Sequence, residues 1–324
     1  MSELRFNPLT RRWVAIAAER RSRPGDFVSR QLAVEDDPHR ACPFCPGNEE
    51  DTPPALETYG PHGSWLVRVV PNLYPAFSGE GRFVAEDDQG GFFRSAAGTG
   101  IHEVIVFSPD HKASWADLTD TQAGLVMAAL RDRFEDHARV PGIGYTQAIV
   151  NHGREAGASL EHPHGQLLGI PFIPRDLSDE MAAFARHPGS ALFSDLVDAE
   201  EASGGRLVAS DDRVVAFCPY WSGSPYELLV VPRRQASRLD GAAPADVAAT
   251  GRVLRDVLGR LRRLLDDVAY NLVFHSAPHH SDSPFCWHVH VLPNTTTAAG
   301  FEMGTGVRIN VVPPEQAAAE LRLA

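Results

Sequence analysis

Cysteine is scarce in this chain. The 324 residues carry only Cys42, Cys45, Cys218 and Cys286, which excludes a disulfide framework for a protein of this size. Long apolar runs are missing too: none approaches the roughly 18 residues a membrane-spanning helix needs. Positive charge is in deficit. With 30 Lys+Arg against 42 Asp+Glu the formal net charge is −12, which argues against a surface built for nucleic acid or an anionic membrane. A small phosphorylated ligand stays open, because a local arginine cluster can offset a global deficit. The opening MSELRFNPLTRRW lacks the basic, apolar and small-residue regions of a signal peptide, so a cytoplasmic protein is expected.

What is present is an ordinary globular composition, 43% hydrophobic and 22% charged, long enough for two domains or one large one. The chain also repeats itself. An apolar strand-like run from His102 ends in a Pro-containing turn and Ala-Ser, and so does the run from Tyr226. A helical pattern follows each. In the second copy Leu254, Val257, Leu258, Leu261 and Leu265 fall on one face. In the first, Leu125, Ala129, Leu130 and Phe134 do so more weakly, after a cap at Thr119 or Asp120. Next come strands from Tyr145 and Tyr270. Then a loop leads to a final strand with a histidine pair, His162 and His164 in one copy, His288 and His290 in the other. Taking tyrosine with tyrosine, 17 residues separate Tyr145 from His162 and 18 separate Tyr270 from His288. The reading is two diverged strand–helix–strand–strand units. They are joined near residues 175–210, where a helix is expected at 178–186 and a break at Gly204-Gly205.

The chemistry gathers around Glu161-His-Pro-His-Gly-Gln166. Histidines two apart on an extended segment share a face. Imidazole is suited both to nucleophilic work near neutral pH and to binding zinc. Cys42-Pro-Phe-Cys45 has the two-residue gap that lets two thiolates reach one metal, and the Pro-Gly-Asn after it fits a metal knuckle better than a redox dithiol. With His111 and His162 these cysteines make a closed shell for structural zinc. His164 is then free to attack a phosphoryl group. Asn151-His-Gly153 and Ala156-Gly157-Ala-Ser159 form a donor-rich loop before it. Arg20, Arg21 and Arg23 are either a phosphate-binding cluster or a solvated surface run. In copy two, His275, His288 and His290 with an unidentified carboxylate suit zinc or iron, unless they are remnants of a decayed duplicate.

Over nearly its whole length the chain resembles the galactose-1-phosphate uridylyltransferase family, the transferase branch of the histidine-triad superfamily. The resemblance runs from Asn7-Pro-Leu-Thr10 and the arginine cluster through Cys42-x-x-Cys45, Gly47-Asn48 and Ser108-Pro-Asp-His111. It continues to Asn151-x-Gly153, Gly157-x-Ser159, His162-Pro-His-Gly-Gln166, His275 and His288-x-His290. It implies an α/β (α+β) fold of two tandem histidine-triad-like halves, each an antiparallel sheet with packed helices. The expected domains are residues 1–175 and 176–324. It further implies His164 as the uridylylated nucleophile and Gln166 as its phosphoryl partner. Substrate contacts would come from Arg20, Arg23, Phe44, Asn72, Asn151, Gly157, Ser159 and Glu302. Zinc would sit on Cys42, Cys45, His111 and His162, and a second metal, zinc or iron, on Glu180, His275, His288 and His290. The implied reaction is ping-pong exchange between UDP-glucose and galactose 1-phosphate in a homodimer whose active sites borrow residues across the interface. Two departures stand out. Asn72-Leu-Tyr-Pro-Ala76 replaces the family's usual Asn-Asp-Phe, and Phe301–Gly306 resembles a divergent branch that includes ADP-glucose phosphorylase, with Arg308 near a family glutamine. The departures keep an NDP-hexose phosphorylase or adenylyltransferase as the alternative activity; a non-catalytic nucleotide-sugar-binding zinc protein is a remote alternative from another class, against which the intact His164 and Gln166 argue.

Overall fold

The computed structural model describes residues 2–22, 41–61, 63–81, 83–87 and 92–324. In chain order the strands of the first half are β1 (Glu3–Phe6), β2 (Trp13–Ile16), β3 (Glu57–Tyr59), β4 (Val67–Pro71), β5 (Glu86–Asp87), β6 (Arg94–Ser95) and β7 (Ile101–Val106). Helix α1 (Asp120–Arg139) follows, then β8 (Tyr145–His152) and β9 (His164–Ile170). Two helices, α2 (Arg175–Arg186) and α3 (Leu192–Ser203), lead into β10 (Leu207–Ser210), β11 (Val214–Phe217) and β12 (Leu228–Pro232). Helix α4 (Pro244–Leu265) precedes β13 (Tyr270–His275) and β14 (His288–Pro293), and the chain ends with α5 (Gly300–Thr305), β15 (Arg308–Asn310) and α6 (Pro314–Leu323).

Ten strands form one antiparallel sheet in the order β10-β11-β12-β14-β13-β8-β9-β7-β4-β3. From the central β8–β13 pair outward, the first half runs β8-β9-β7-β4-β3 and the second runs β13-β14-β12-β11-β10. The repeat is therefore a pseudo-two-fold, and the two half-sheets join edge to edge, Asn271 opposite Asn151 and Phe274 opposite Ala148. Joining this way removes two sheet edges that would otherwise expose unpaired backbone groups.

One face is covered by α1 and α4, with Ala123, Val126, Leu130, Phe134, Leu254, Val257, Leu258 and Leu261 buried in the main core. Thr119 caps α1 in a reciprocal box with Gln122, a motif worth about 1 kcal/mol. The helices meet closely at Gly251, where a Cβ would fall 2.5 Å from the Ala123 carbonyl oxygen. The opposite face carries α2, α3 and the small β1-β2-β15 sheet over the second half. Over the first half, Phe44 and the cysteine loop pack on Val70, Val104 and Val106.

The helix expected at 178–186 starts three residues earlier, and α3 within the joining segment was not anticipated. Its stop is the left-handed Gly204 (φ 66), the glycine read as a break. The tyrosine-with-tyrosine register needs correction: Tyr145 packs on the α2 side of the sheet and Tyr270 on the α1/α4 side. Because strand side chains alternate, residues on opposite faces cannot be counterparts.

Candidate active site and metal groups

His164 opens β9 on the face away from α1 and α4, pairing with Val106. Its Nδ1–H donates to the His162 carbonyl at 2.8 Å, which leaves the lone pair on Nε2. The residue is 8% exposed, and the Phe44 ring lies 5.4 Å from its own. Burial pulls its pKa down, outweighing the carbonyl hydrogen bond that favours the cation, so the imidazole is neutral near pH 7. Gln166, two residues on, shares this face. Val150 pairs with Gly165, so the next residue, Asn151, lies across from His164. The loop from Gly153 to Ser159 bends at Gly153 (φ 81) and Gly157 (φ 90). A Cβ on Gly153 would sit 2.7 Å from that of Ala269, so this turn requires glycine.

Beside it stands the first metal group. His162 is fully buried, and its Nε2–H donates to the Ser108 carbonyl at 2.8 Å, aiming Nδ1 at the cysteines. That Nδ1 lies 3.7 Å from Cys42 Sγ, 3.6 Å from Cys45 Sγ and 3.3 Å from His111 Nδ1. Cys45 Sγ is 3.3 Å from His111 Nδ1. A tetrahedral zinc with bonds of about 2.3 Å to sulfur and 2.0–2.1 Å to nitrogen sets its ligands roughly 3.3–3.8 Å apart, so the four groups fit such an ion. Burial lowers the His162 pKa to about 4, keeping it in the ligating form.

The second group lies in the other half. Glu180, on α2 and 2% exposed, accepts from or faces three imidazoles. Its carboxylate is 2.9 Å from His275 Nδ1, 3.6 Å from His288 Nε2 and 3.9 Å from His290 Nε2. His288 Nδ1–H donates to the Cys286 carbonyl at 2.9 Å, presenting Nε2 3.1 Å from His290 Nε2. All four ligand atoms lie within 4.8 Å of one another. Burial and the neighbouring imidazoles push His288 and His290 well below the usual value. At His275 burial acts the same way, but the Glu180 carboxylate outweighs it and raises the pKa.

These contacts correct the repeat at its centre. His164 and His288 each open a strand, and each donates Nδ1–H to the carbonyl two residues back. His288 pairs with His275 across β13–β14, as His164 faces Asn151 across β8–β9. The counterparts are therefore His164 and His288, Gln166 and His290, Asn151 and His275. His162 corresponds to the buried Cys286, so the two histidine pairs are offset by two residues.

Other expected contacts scatter. Arg20 and Glu302 line a second cleft, with Asn271, Glu227 and Arg308. Asn151 and His164 line an adjoining one, and Glu155 borders both. Gly157 and Ser159 are exposed on the loop. Asn72 Oδ1 accepts from the Tyr74 amide at 2.9 Å. Arg23 lies outside the described residues. The sequence reading missed His102, whose Nε2 is 2.8 Å from Gln166 Oε1, and Asn271, whose Nδ2 is 2.8 Å from Asn151 Oδ1. Strand alternation from His102 to Val104 and Val106 was the available signal for the first.

A family profile described as the galactose-1-phosphate uridyl transferase N-terminal domain matches residues 1–174, and one for a domain of unknown function matches residues 110–322. The chain is 29% identical to ADP-glucose phosphorylase of Arabidopsis thaliana, covering 99% of this chain and 92% of that one. It is likewise 29% identical to galactose-1-phosphate uridylyltransferase of Thermotoga maritima, over 99% and 98%. Among solved structures, the Arabidopsis thaliana ADP-glucose phosphorylase with bound ADP-glucose superposes with a TM-score of 0.83 at 26% identity, covering 100% of this chain and 99% of that one. A uridylyltransferase gives 0.76 at 26%, over 100% and 98%. Fold, site and relatives define a nucleotidyltransferase built on a pseudo-symmetric antiparallel sheet. No helix among the described residues is long and apolar enough to cross a membrane. The chain belongs to the galactose-1-phosphate uridyl transferase family.

Proposed function

We propose that the protein moves a nucleotidyl group from a nucleoside-diphosphate hexose to a sugar phosphate by a ping-pong route through His164. The observation that carries this reading is the buried His164, which lines a cleft with Asn151 and has its Nδ1–H tied to the His162 carbonyl, leaving Nε2 as the nitrogen with the free lone pair. Nε2 attacks the α-phosphorus in line. The bond to the bridging oxygen breaks, and hexose 1-phosphate leaves with the electron pair. The imidazolium adduct keeps its Nδ1–H on the carbonyl, which stabilises the positive charge. A phosphate oxygen of the acceptor then attacks the adduct and regenerates the neutral ring. Gln166 and Asn151 donate to the transferred phosphoryl group, with Gly157 and Ser159 beside them.

UDP-glucose and galactose 1-phosphate are the proposed substrates, supported by the His-Pro-His-Gly-Gln string and the uridylyltransferase relatives. Glutamine at 166, where hydrolytic relatives carry a third histidine, fits an adduct that must outlast the first product. Structural zinc on Cys42, Cys45, His111 and His162 would fix the strand that leads into His164. Zinc or iron would occupy the group on Glu180, His275, His288 and His290. Residues 1–175 and 176–324 serve as two histidine-triad-like domains. In a homodimer, Arg20, Arg23 and Glu302 would complete the sugar-phosphate end of a partner's site, with Phe44 and Asn72 lining the nucleotide end.

A second reading, phosphorolysis of ADP-glucose through the same histidine, is favoured by the likeness to the ADP-glucose-bound relative. Intact mass after incubation with UDP-glucose, ADP-glucose or GDP-glucose separates the two. The expected result is a one-nucleotidyl gain with UDP-glucose that is absent in His164→Gly. A gain with ADP-glucose alone selects the phosphorylase, and no gain with any donor overturns both.

A further inference from the structure

Two primary amides flank His164, and each is useful to an anionic phosphoryl group only if its NH2 end faces the cleft. The carbonyl end would repel. An amide has no intrinsic preference between its two ends, so something must set the direction.

For Asn151 the direction traces back to a backbone carbonyl. Asn271 Nδ2 lies 2.9 Å from the Ala156 carbonyl oxygen. A backbone carbonyl only accepts, so this end of Asn271 is its NH2. The other hydrogen donates to Asn151 Oδ1 at 2.8 Å. Asn294 completes the chain from behind, donating Nδ2–H to Asn271 Oδ1 at 2.9 Å. With its oxygen occupied, Asn151 turns its NH2 toward the glycine loop, where a Cβ on Gly157 would stand 3.7 Å from Nδ2.

For Gln166 the direction traces back to a backbone amide. The Ala76 N–H donates to His102 Nδ1 at 3.0 Å. That nitrogen accepts, so the proton of the neutral ring is on Nε2. Two groups lie near Nε2: Gln166 Oε1 at 2.8 Å and Asn72 Nδ2 at 3.1 Å. Asn72 uses its own oxygen for the Tyr74 amide, so it offers only a donor there. The Nε2 proton therefore goes to Gln166, whose NH2 is left for the cleft.

We propose that Asn271 and His102 are positioning residues that orient the amides of Asn151 and Gln166 as donors to the transferred phosphoryl group. The inference rests on the nucleotidyl transfer proposed above. It adds a division of labour across the pseudo-two-fold: Asn271 belongs to the second half of the sheet, yet it sets a donor in the first. Neither residue touches the reacting atoms. Each acts through the amide it holds.

Asn271→Asp tests the polarity at constant shape. A carboxylate cannot donate, so Asn151 reverses and presents its oxygen to the phosphoryl group. Adduct formation in a single turnover should slow by roughly 10²-fold, the scale of one lost oxyanion donor. Half-saturation by UDP-glucose should move far less. In an Asn151→Ala background the same Asn271→Asp change should cost under about three-fold, because nothing is left to reverse. The second arm uses His102→Phe, expected to slow the adduct roughly ten-fold, and only when Gln166 is present. His102→Gln, which keeps a donor at this position, should recover most of that loss. Equal losses in wild-type and Asn151→Ala or Gln166→Ala backgrounds would overturn the proposal, as would an unchanged rate in both arms. Should Asn271→Asp fail to fold, the His102 arm decides by itself. Wild-type protein that forms no adduct with any of the three nucleotide sugars refutes the parent function instead, so the two failures are distinguishable.

Discussion

At three matched positions the first half of the sheet has Asn151, His164 and Gln166, and the second half has His275, His288 and His290. The antiparallel strand pairing around them matches, down to the Nδ1–H hydrogen bond that His164 and His288 each make to the carbonyl two residues back. What differs is amide against imidazole, and the buried Glu180 carboxylate that α2 delivers to the second half. Three imidazoles and a carboxylate converge as a metal shell. One imidazole beside two amides is too poor a donor set to chelate, which fits the nucleophilic role proposed for its Nε2. The same scaffold occurs twice, and two amide-for-imidazole differences together with the Glu180 carboxylate separate the proposed nucleophile from the candidate metal ligand.

Removing the shared histidine from each half should have unlike consequences. His164→Gly should reduce nucleotidyl adduct, read by intact mass, at least about 10³-fold. His288→Gly should instead leave the adduct detectable while metal analysis loses one equivalent per chain and the melting temperature falls. Adduct surviving in His164→Gly would place the nucleophile elsewhere and dissolve the contrast.

A stronger break is to write one half into the other. The double change Asn151→His with Gln166→His gives the first half the second half's three imidazoles. Transfer should drop by roughly 10²-fold or more as both phosphoryl donors disappear, and equilibrium dialysis should show one additional zinc per chain. Three histidines with a water in the fourth position are a known zinc arrangement. No added zinc would mean that the Glu180 carboxylate, rather than the imidazoles, makes the second half a metal site.

The first metal group has no counterpart across the pseudo-two-fold, since Cys286 stands where His162 would be. Cys42→Ser should therefore remove one zinc and cost on the order of a few kcal/mol in denaturant unfolding. Adduct formation should persist, slowed through looser placement of His164. Complete loss of adduct from a folded Cys42→Ser protein would give this zinc a direct part in the chemistry.

Much of this was legible in the sequence because spacing constrains it. The 3.6-residue periodicity of Leu254, Val257, Leu258 and Leu261 marks α4, and the two-residue gap between Cys42 and Cys45 marks a knuckle. Register was not legible. Tyr145 and Tyr270 look alike and sit at similar distances from a histidine, yet a one-residue offset puts them on opposite faces. Pairing His162-x-His164 with His288-x-His290 carried the error into the site, hiding the correspondence of Gln166 with His290. Asn271 and His102 were invisible for another reason. Their importance lies in which atom each presents to a neighbour brought close only by the completed sheet.

The smallest effect concerns the position matched to His102. Val104 pairs with Gln166 and Leu229 with His290, so His102 corresponds to Glu227. In the second half this side chain turns toward the cleft lined by Arg308 and accepts from the Gly223 amide at 2.7 Å. Burial dominates over that bond and over Arg308, raising its pKa from 4.5 to about 7. A carboxyl with a raised folded-state pKa binds its proton more tightly folded than unfolded. Its contribution is fully present below the unfolded value and is lost as pH climbs from about 4.5 to about 7. Glu227→Gln cannot ionise. Denaturant unfolding at a series of pH values should find the variant gaining on the wild type by about 1–3 kcal/mol across that window, with little further change above it. A constant difference between the two proteins from pH 4 to 8 would show that Glu227 ionises as freely folded as unfolded. The second half would then hold an ordinary carboxylate at the place where the first half holds its orienting histidine.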